Sequence, residues 1–595
     1  MALNPQSSRR WDELPHEILL QILCYLEPHQ LPRLQLVSRK LRDVCLDEEL
    51  WKRHCFERSP WYSFLQNRRK VFASLPDSSL SKTSQDDEDA GSLLEFDESP
   101  RKDKDHFEFL QDMANWDPSF PDEHVSWYDE YIQRQGPTSI NWLETPRGEH
   151  SGMDHFIEVR GMALYSPNNG DDGLGSLLAV SPLDDGSVCL WDINGARGRR
   201  GGIIATSQPD ILFFDGRGDQ NTRRSKKIDT GVTECVVNRH SFEWSITTLS
   251  QIQDGIPLTV GTSLGIHLQD FRAPQHHHGN SVERLDIDSP MTDGDNPFRA
   301  IFDPNPLPPY ASLSQPTPTS ILHLPRPAGD NTVSDDIYVA GRFSNILHYD
   351  RRQFPKILGS IYSGSRLSSL AALPYPFSTL DHEVRRRGEL SADRVHECKT
   401  SGNGRTLIAG GEYKTKGSLE LYGLDTVDLS SDGAMQQNST MKNRYTAASS
   451  IILSVINHGT KVAFSDGAGQ IKWFERDGYT ECRRIKIGHS DVPTQASLFA
   501  SMPGSDDLAR KILSTKTAHD RPNEDNVLFW TGDKLGMVSF TGDTLFTPEQ
   551  LQGDKSHKSK EAAAEEQRRQ VYSQRMREAL EKQADEARFV QGLGL

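Results

Sequence analysis

The chain has 595 residues, too many for a single hydrophobic core, so its length predicts several folded units. A hydrophobic fraction of only 35%, with 45 Gly and 33 Pro, indicates loop-rich domains together with disordered stretches. The formal net charge of −17 excludes a general nucleic-acid binder, because neutralising phosphates requires a basic surface.

The first predicted element is a helix that begins at Pro15, a residue suited to a first helical turn, and ends before Pro28. Apolar residues recur every four positions along one face, and further apolar residues lie on the other faces. The first set is Leu14, Ile18, Ile22 and Leu26, and the second is Leu19, Leu20, Leu23 and Tyr25. A helix that is apolar nearly all round must be buried on more than one side.

Two more short helices are predicted in the same unit. One follows Pro32, with Leu34, Val37, Leu41 and Val44 at helical spacing, and the other begins after the N-cap residue Asp47. A unit of this size is marginally stable alone, yet it carries more apolar surface than three helices hide. It therefore docks either on the rest of its own chain or on another protein, and composition does not choose between them.

The spacing of these apolar residues over positions 11–56 resembles that of the F-box. The resemblance implies a three-helix domain that binds the Skp-family adaptor, and through it the cullin, of Skp–cullin–F-box ubiquitin ligases. Leu41 departs from the family, which often has Trp there. The adaptor-binding positions that the resemblance implies, some of them shared with the domain's own core, are Leu14, Pro15, Ile18, Ile22, Leu23, Leu26, Leu34 and Val37.

Residues 57–150 are predicted to be a helical stem and linker. Residues 61–75 extend the helical domain, and the acidic stretch near 76–104 is predicted to be disordered. Order is expected to return near Pro121 in a helix that contains Trp127 and Tyr131 and stops at Gly136. With the aromatic cluster at 140–142, this helix is predicted to pack the first domain onto the next one.

From 151 to 548 the pattern changes to short strands separated by small-residue turns. The clearest pair joins Leu177–Ser181 to Ser187–Asp192 through an Asp-Gly turn. Five similar pairs follow: 259–261 with 266–270, 338–341 with 346–350, 407–410 with 419–422, 462–466 with 471–474, and 527–530 with 537–540. These units resemble WD repeats, although only Trp191-Asp192 keeps the WD dipeptide.

The resemblance implies a WD-like β-propeller, for which the sequence predicts seven blades, one of them degenerate around 203–245, with six as the alternative. Insertions are expected near 286–319, 380–404 and 503–525. Relatives bind a degron, often phosphorylated, on one propeller face through Arg, and Arg342 is one candidate for that role. Because an Arg in a loop is usually only solvated, the substrate-binding residues stay unassigned.

The tail, 549–595, is predicted to contain a charged helix over 558–590, either solvated or bound to a partner. The basic clusters at 223–227 and 385–387 are predicted to be solvated loops. The His run at 276–278 is not accompanied by other ligands at metal-binding spacing, so no metal and no cofactor are expected.

Seven Cys spread over the chain favour a reducing compartment, and residues 1–14 lack the apolar run of a secretory signal. No stretch of 18 apolar residues occurs, so we expect a soluble protein of the cytoplasm, the nucleus or both, with no membrane or nucleic-acid partner. No motif of a nucleotide-binding, serine, metal or cysteine enzyme is present, and no catalytic residue is assigned.

The predicted fold class is therefore mainly β with α: a small N-terminal three-helix F-box, a WD-like β-propeller and a C-terminal helix. Its expected function is that of a non-catalytic substrate receptor of a Skp–cullin–F-box ligase, whose propeller binds an unknown protein substrate. The alternatives are a non-degradative F-box/WD-repeat scaffold and, more remotely, a propeller enzyme with an appended helical domain.

Overall fold

A computed structural model provides the coordinates of the chain. The residues that the structure describes are 14–74, 99–150, 153–167, 175–207, 213–214, 226–227, 233–234, 244–252, 255–270, 310–313, 317–326, 333–400, 404–424, 439–488, 507–516, 525–540, 568, 571, 575 and 576. The predicted tail helix, the predicted acidic stretch up to residue 98 and the His run lie outside these residues, apart from four isolated positions of the tail. In the part described, no helix is long and apolar enough to cross a bilayer.

Nine helices are described, seven before the sheets and two inside them. They are α1 His16–Leu23, α2 Leu31–Leu34, α3 Arg39–Cys45, α4 Glu48–Glu57, α5 Pro60–Ser74, α6 Ser99–Trp116, α7 Trp127–Gln135, α8 Thr379–Arg386 and α9 Ala392–Thr400. The predicted return of order near Pro121 is thus too late, because α6 precedes it. The predicted helix ending at Gly136 is confirmed as α7.

The helices α1–α4 pack around one apolar core with the stem helices. Leu19, Leu31, Trp51 and Phe56 are fully buried in it, and Trp116 of α6 joins the same cluster. The core of the N-terminal domain therefore continues into the stem. This sharing offsets the small size of the domain, which alone hides too little apolar surface for stability.

The rest of the described chain is built of antiparallel strands. Their bounds are β1 Ser139–Trp142, β2 Arg147–His150, β3 Met153–Phe156, β4 Ala163–Tyr165, β5 Leu178–Pro182, β6 Val188–Asp192, β7 Ile203–Thr206, β8 Phe213–Phe214, β9 Lys226–Lys227, β10 Thr233–Glu234, β11 Ile246–Leu249, β12 Leu258–Thr262, β13 Gly265–Gln269, β14 Tyr310–Ser312, β15 Pro318–Pro325, β16 Val333–Gly341, β17 Asn345–Asp350, β18 Ile357–Tyr362, β19 Arg366–Leu373, β20 Arg405–Tyr413, β21 Lys416–Leu424, β22 Thr440–Ala448, β23 Ile452–His458, β24 Lys461–Asp466, β25 Gln470–Glu475, β26 Glu481–Lys486, β27 Lys511–Ser514, β28 Val527–Trp530 and β29 Leu535–Ser539.

Six four-stranded sheets among the described residues form the blades of a β-propeller-like fold. Blade 1 is β4–β7, blade 2 is β11–β14, blade 3 is β15–β18, blade 4 is β19–β22, blade 5 is β23–β26, and blade 6 is β27–β29 with β1 as its outermost strand. The six predicted strand pairs are confirmed as the two central strands of these six blades.

The prediction of seven blades is wrong for the described chain. The region suggested for a degenerate blade, 203–245, begins with β7, which pairs with β6 as the outermost strand of blade 1. The remaining strands there, β8–β10, form a three-stranded sheet in which each strand has two residues. The described residues of this region therefore do not form another four-stranded blade.

Blade 6 is completed by a strand from far upstream. In β1, Ile140 pairs with Val538 of β29, and Leu143 donates a backbone hydrogen bond to Leu535. The aromatic cluster at 140–142, predicted as part of the stem, is therefore a propeller strand. This pairing completes the sheet of blade 6 with the segment that directly follows the stem helix α7. The stem helix and the outermost strand of blade 6 are therefore consecutive elements of the chain.

Serine hydroxyls join the innermost strands of consecutive blades. Ser320 Oγ accepts from the Leu370 amide at 2.9 Å, Ser369 Oγ from the Val455 amide at 3.0 Å, and Ser454 Oγ from the Ile512 amide at 3.2 Å. An innermost strand has no sheet neighbour on the channel side, so its amides need such partners. The repeated contact fixes the angle between blades 3, 4, 5 and 6.

Candidate functional site

The first helix, α1, has one face in the core of the N-terminal domain and another face in solvent. Leu19 and Leu23 are buried, whereas Ile18 lies on the outer surface. The stripe predicted through Leu14 and Ile18 thus lies on the outer side of the helix. The core side is the stripe shifted by one residue, through Leu19 and Leu23. An apolar residue on the outer side of so small a domain is a candidate contact for another protein.

The structure divides the eight predicted adaptor-binding residues into three groups. Leu23 lies in the core of the domain, and Leu14, Ile22, Leu26 and Leu34 are half-buried. Pro15, Ile18 and Val37 are exposed. The exposed and half-buried groups are available to a partner, as expected from positions shared between a contact and the domain's own core.

Sequence reasoning missed two exposed apolar residues beside these. Tyr25 follows α1 and is 91% exposed, and Leu36 follows α2 and is 88% exposed. A signal was present: Leu19 and Leu23 lie one turn apart, and a core stripe through them leaves Tyr25 outside. Together Pro15, Ile18, Tyr25, Leu36 and Val37 are here called the apolar face of the N-terminal domain.

Hydrogen bonds at helix ends hold this face in position. Ser38 caps α3 by accepting from the Leu41 amide at 3.2 Å, and Asp47 caps α4 by accepting from the Leu50 amide at 3.2 Å. Lys40 donates to the Leu14 carbonyl at 2.8 Å, which ties the start of α1 to α3. The apolar face is therefore carried on a capped scaffold, as a protein contact requires.

The helix α4 joins this domain to the stem helix α7. The ring of Trp51 packs edge-on against Tyr128 at 4.8 Å between centroids, and the Glu48 carboxylate accepts from the Trp127 amide at 2.6 Å. The Cys55 thiol lies beside the Trp127 carbonyl, and burial raises the pKa of that thiol well above its usual range. The junction thus keeps Cys55 as a neutral packing group.

The stem helix α7 is joined to blade 5 by buried charges. Arg134 donates to both carboxylate oxygens of Glu475, at 2.6 and 2.9 Å, and to Glu130 at 2.8 Å. Lys461 Nζ lies 2.5 Å from Glu130. Burial opposes ionisation of Glu130, but Lys461 and Arg134 outweigh it and hold the pKa of this carboxyl well below its usual range.

Two helices inserted between β19 and β20 of blade 4, α8 and α9, also contact the stem. Asp117, just after α6, lies 3.1 Å from Lys52 of α4 and 3.2 Å from Lys399 of α9. Burial opposes the charge of Asp117, yet these lysines lower its pKa to about 2. One carboxylate therefore links the N-terminal domain, the stem and the propeller.

The basic run at 385–387 belongs to this insertion and not to a solvated loop. Arg385 donates to the Asn115 carbonyl at 3.1 Å and the Asp117 carbonyl at 2.7 Å. Arg386 stacks on Tyr479 of blade 5 at 4.3 Å. Arg385 thus places a cation at the carbonyls of the C-terminal end of α6, a position that favours positive charge.

The stem occupies one end of the propeller. It contacts the β23–β24 turn at Thr460 and the β25–β26 turn at Arg476, which donates to the Pro118 carbonyl at 3.0 Å. Turns alternate between the two ends of a sheet, so the β16–β17 and β20–β21 turns and the connections between blades lie at the opposite end. We call that end the open face of the propeller.

The open face carries unusual backbone and exposed cations. The three described non-glycine residues with positive φ all lie there: Thr317 at 72°, Lys414 at 47° and Thr415 at 70°. Such conformations cost free energy in β-branched residues and concentrate at functional sites. Arg342 and Arg366 are exposed at the same end, so the candidate arginine suggested by the sequence lies on the face away from the stem.

Comparison with known proteins agrees with the geometry of the N-terminal domain. The sequence model of a family described as F-box-like matches residues 11–57. A search of curated proteins found none that matches the chain. The chain thus has an F-box-like domain at its N-terminus, followed by a β-propeller-like fold with six blades among the described residues. This arrangement in general fits a substrate-receptor adaptor and is typical of non-catalytic adaptors.

Proposed function

We propose that this protein is the substrate-recognition subunit of a Skp–cullin–F-box ubiquitin ligase. The apolar face of the N-terminal domain binds the Skp-family adaptor, and through it the cullin. The propeller, a set of WD-like repeats, binds the protein to be ubiquitinated. The protein carries out no chemistry itself, and its contribution is to hold a substrate lysine close to a ubiquitin-charged enzyme.

One observation carries this proposal: an F-box-like domain exposes large apolar side chains and is fastened by buried ion pairs to one end of a propeller, whose other end lies away from the stem. Ile18, Tyr25, Leu36 and Val37 are exposed on the first unit. Large apolar side chains exposed on so small a domain are candidates for a protein-binding surface. F-box domains in general bind Skp-family adaptors, which gives this surface its partner.

The substrate is assigned to the open face of the propeller. The stem contacts the opposite end through Thr460 and Arg476, so a protein held at the open face projects away from the adaptor. Buried ion pairs such as Arg134–Glu475 limit the movement of the stem and the F-box-like domain relative to the propeller. A bound substrate is then presented in a fixed direction relative to the adaptor. Arg342 and Arg366 supply the cations that bind an acidic or phosphorylated segment of that substrate.

The compartment proposed is the cytoplasm, the nucleus or both. The six described cysteines, for example Cys45 and Cys55, are free thiols. Free buried thiols are compatible with the reducing conditions of these compartments.

The test is an adaptor pull-down from cells with the full chain. We expect wild type to capture adaptor and cullin, and the Ile18→Asp/Val37→Asp double variant to capture at least tenfold less of both, because a charge in a desolvated contact stays unpaired. Leu14→Ala/Pro15→Ala is expected to weaken capture as well. Ile357→Asp, a comparably exposed isoleucine on β18, is the matched control and retains wild-type capture.

Capture of neither adaptor nor cullin by a folded wild-type chain would overturn the proposal. A second readout separates ligase from scaffold. Proteins bound to the propeller are identified, and their half-lives are compared with and without Ile18→Asp/Val37→Asp. Lifetimes that lengthen in the variant support the ligase, whereas lifetimes that the variant leaves unchanged, although the wild type captures the adaptor, favour a non-degradative scaffold.

A further inference from the structure

The outermost strand of blade 3, β18, has an edge that no other described strand covers. It pairs with β17 on one side and is the last strand in the order of its sheet. On this strand Ile357, Leu358 and Tyr362 are 49%, 39% and 71% exposed. The outer edge of a strand offers amides and carbonyls to which a further strand can bind. In β18 this backbone edge coincides with exposed apolar side chains.

The outermost strands of the next two blades carry the charges that usually protect such an edge. In blade 4, β22 contains Lys442 and Arg444, and in blade 5, β26 contains four charged residues. Charged side chains on an edge strand prevent it from pairing with other chains. The six residues of β18 include no charged one. Of these three long outermost strands, β18 alone lacks the usual protection.

The shorter outermost strand of blade 1, β7, is also uncharged, but a side chain covers its edge. The Ile203 amide donates to the Glu144 carboxylate at 2.9 Å. No such contact from another segment is described for residues 357–361. The exposed edge of β18 is therefore not a general property of the uncharged outermost strands in the described chain.

A lysine lies at each end of β18. Lys356 immediately precedes the strand. Lys442 of blade 4 donates to the Tyr362 carbonyl at 3.1 Å, and its ammonium group lies 5.9 Å from the centre of the Tyr362 ring. Within the described chain, neither lysine forms an ion pair. The strand therefore has an apolar middle and a cation at both ends, although the chain as a whole carries a net charge of −17.

The acidic residue beside Lys442 is already bound by internal groups. Glu420 is fully buried, and its carboxylate accepts from the Ser365 and Ser418 hydroxyls at 2.7 Å each and lies 3.1 Å from Arg444. Burial opposes the ionisation of Glu420, but the hydroxyl groups bonded to it outweigh burial and lower its pKa. Because Glu420 is held in this way, Lys442 can bind a carboxylate of another molecule.

We propose that β18 binds an extended segment of the substrate as a fifth strand of blade 3. The segment is apolar in its middle, where it contacts Ile357 and Tyr362, and acidic at its ends, where it binds Lys356 and Lys442. In strand addition of this kind, backbone hydrogen bonds provide the affinity and side-chain contacts the specificity. The inference rests on the proposed function only in that the partner is the substrate.

Selection of a displayed library of random dodecapeptides on the full chain tests the binding. We expect enriched peptides to contain an apolar stretch with acidic residues beside it. The best of them, made synthetically, should bind at least tenfold more weakly to Ile357→Asp, which puts a charge on the apolar edge, and to Lys442→Ala. The absence of enriched peptides, or peptides whose affinity neither variant changes, would overturn the proposal.

Matched controls are available on other elements of the chain. Leu380→Asp places the same charge at an apolar residue of α8 that is 67% exposed. Arg484→Ala removes an exposed cation from β26. Both variants should bind the peptide as wild type does, and the urea midpoint of Ile357→Asp should equal that of wild type, since the replaced side chain is half-exposed.

Hydrogen–deuterium exchange with and without the selected peptide locates the contact. Amides of residues 357–362 should gain protection in the complex, and amides of β26 should not. Protection confined to other parts of the propeller would contradict strand addition. A dimer of the free chain that Ile357→Asp dissociates, measured by sedimentation, would assign the edge of β18 to a second copy and also contradict the proposal.

The adaptor pull-down keeps this inference separate from the proposed ligase function. Ile357→Asp retains adaptor capture there, so a loss of peptide binding in this variant concerns β18 alone. Failure of wild type to capture the adaptor, with peptide binding at β18 intact, would remove the ligase function and leave the strand-addition site.

Discussion

The carboxylate of Glu130 in the stem helix α7 lies 2.5 Å from the ammonium group of Lys461 in blade 5, and both side chains are buried. Glu130 is further bonded by Thr460, and Lys461 by Gln133 at 3.1 Å. Burial lowers the pKa of Lys461, because it disfavours the charged amine. Each charge is therefore tolerated only while its partner is present. This buried ion pair therefore fixes the orientation of the stem helix α7 on blade 5.

Replacing one partner of this pair is expected to destabilise the protein strongly. Lys461→Met leaves Glu130 without its nearest cation, and loss of one partner of a buried ion pair costs about 3–5 kcal/mol. The urea midpoint of the propeller measures the effect. The double variant Glu130→Gln/Lys461→Met should lose clearly less than the sum of the two single losses, because neither charge is then left unpaired.

The exposed ion pair of Arg484 with Glu481 on the same blade is the control. Arg484→Ala is expected to change stability by about 1 kcal/mol or less, since solvent screens such pairs. If Lys461→Met and Arg484→Ala shift the urea midpoint equally, the buried pair does not fasten the stem.

The insertion helix α8 carries a histidine that should make stability depend on pH. Burial, with Arg385, Lys399 and Arg386 nearby, lowers the pKa of His382 to about 3. Between that value and the ordinary pKa near 6.5 the unfolded chain binds more protons than the folded one, so stability falls as pH drops through 6.5. From pH 7.5 to 5.0 we expect a loss of about 1–2 kcal/mol from this half-buried group.

His382→Phe isolates that contribution, because it keeps a ring beside Phe377, whose centroid lies 4.6 Å away. Urea unfolding of wild type and variant at pH 7.5 and 5.0 gives four free energies of unfolding. The wild-type loss between the two pH values should exceed that of the variant. An identical loss in both would show that other groups carry the pH dependence.

Local patterns in the sequence predicted the central strand pairs of the blades but not the number of blades. The pair around Asp185-Gly186 has alternating residues and a turn signal within a short stretch of chain. The outermost strands β7 and β1 have no such signal, and β1 pairs with β29 across nearly four hundred residues. Pairing over that distance is decided by the closure of the ring, which no local window contains.

The candidate site was predicted to a similar extent. The spacing of Leu14, Ile18 and Val37 located the F-box-like domain, because apolar excess in a short unit is visible in the sequence. Which of these residues point inward depends on how α1 rotates against α3 and α4, and this rotation assigned Leu23 to the core and Tyr25 to the surface. Likewise Arg385 resembles a solvated charge until α6 brings carbonyls to it.

The serine contacts between blades provide a last prediction. Ser369 Oγ accepts from the Val455 amide of the next blade, and Val455 is buried. Ser369→Ala leaves that amide without its partner, which costs about 1–3 kcal/mol for a buried donor. Ser369→Thr keeps the hydroxyl and should retain most of the stability, as Thr248 occupies the equivalent position in blade 2.

Ser360→Ala on the exposed strand β18 is the control, with an expected change within about 0.5 kcal/mol. If Ser369→Ala unfolds at the wild-type urea midpoint, a water molecule replaces the hydroxyl, and the angle between blades 4 and 5 is held by apolar packing of Ile452 on Gly410 instead.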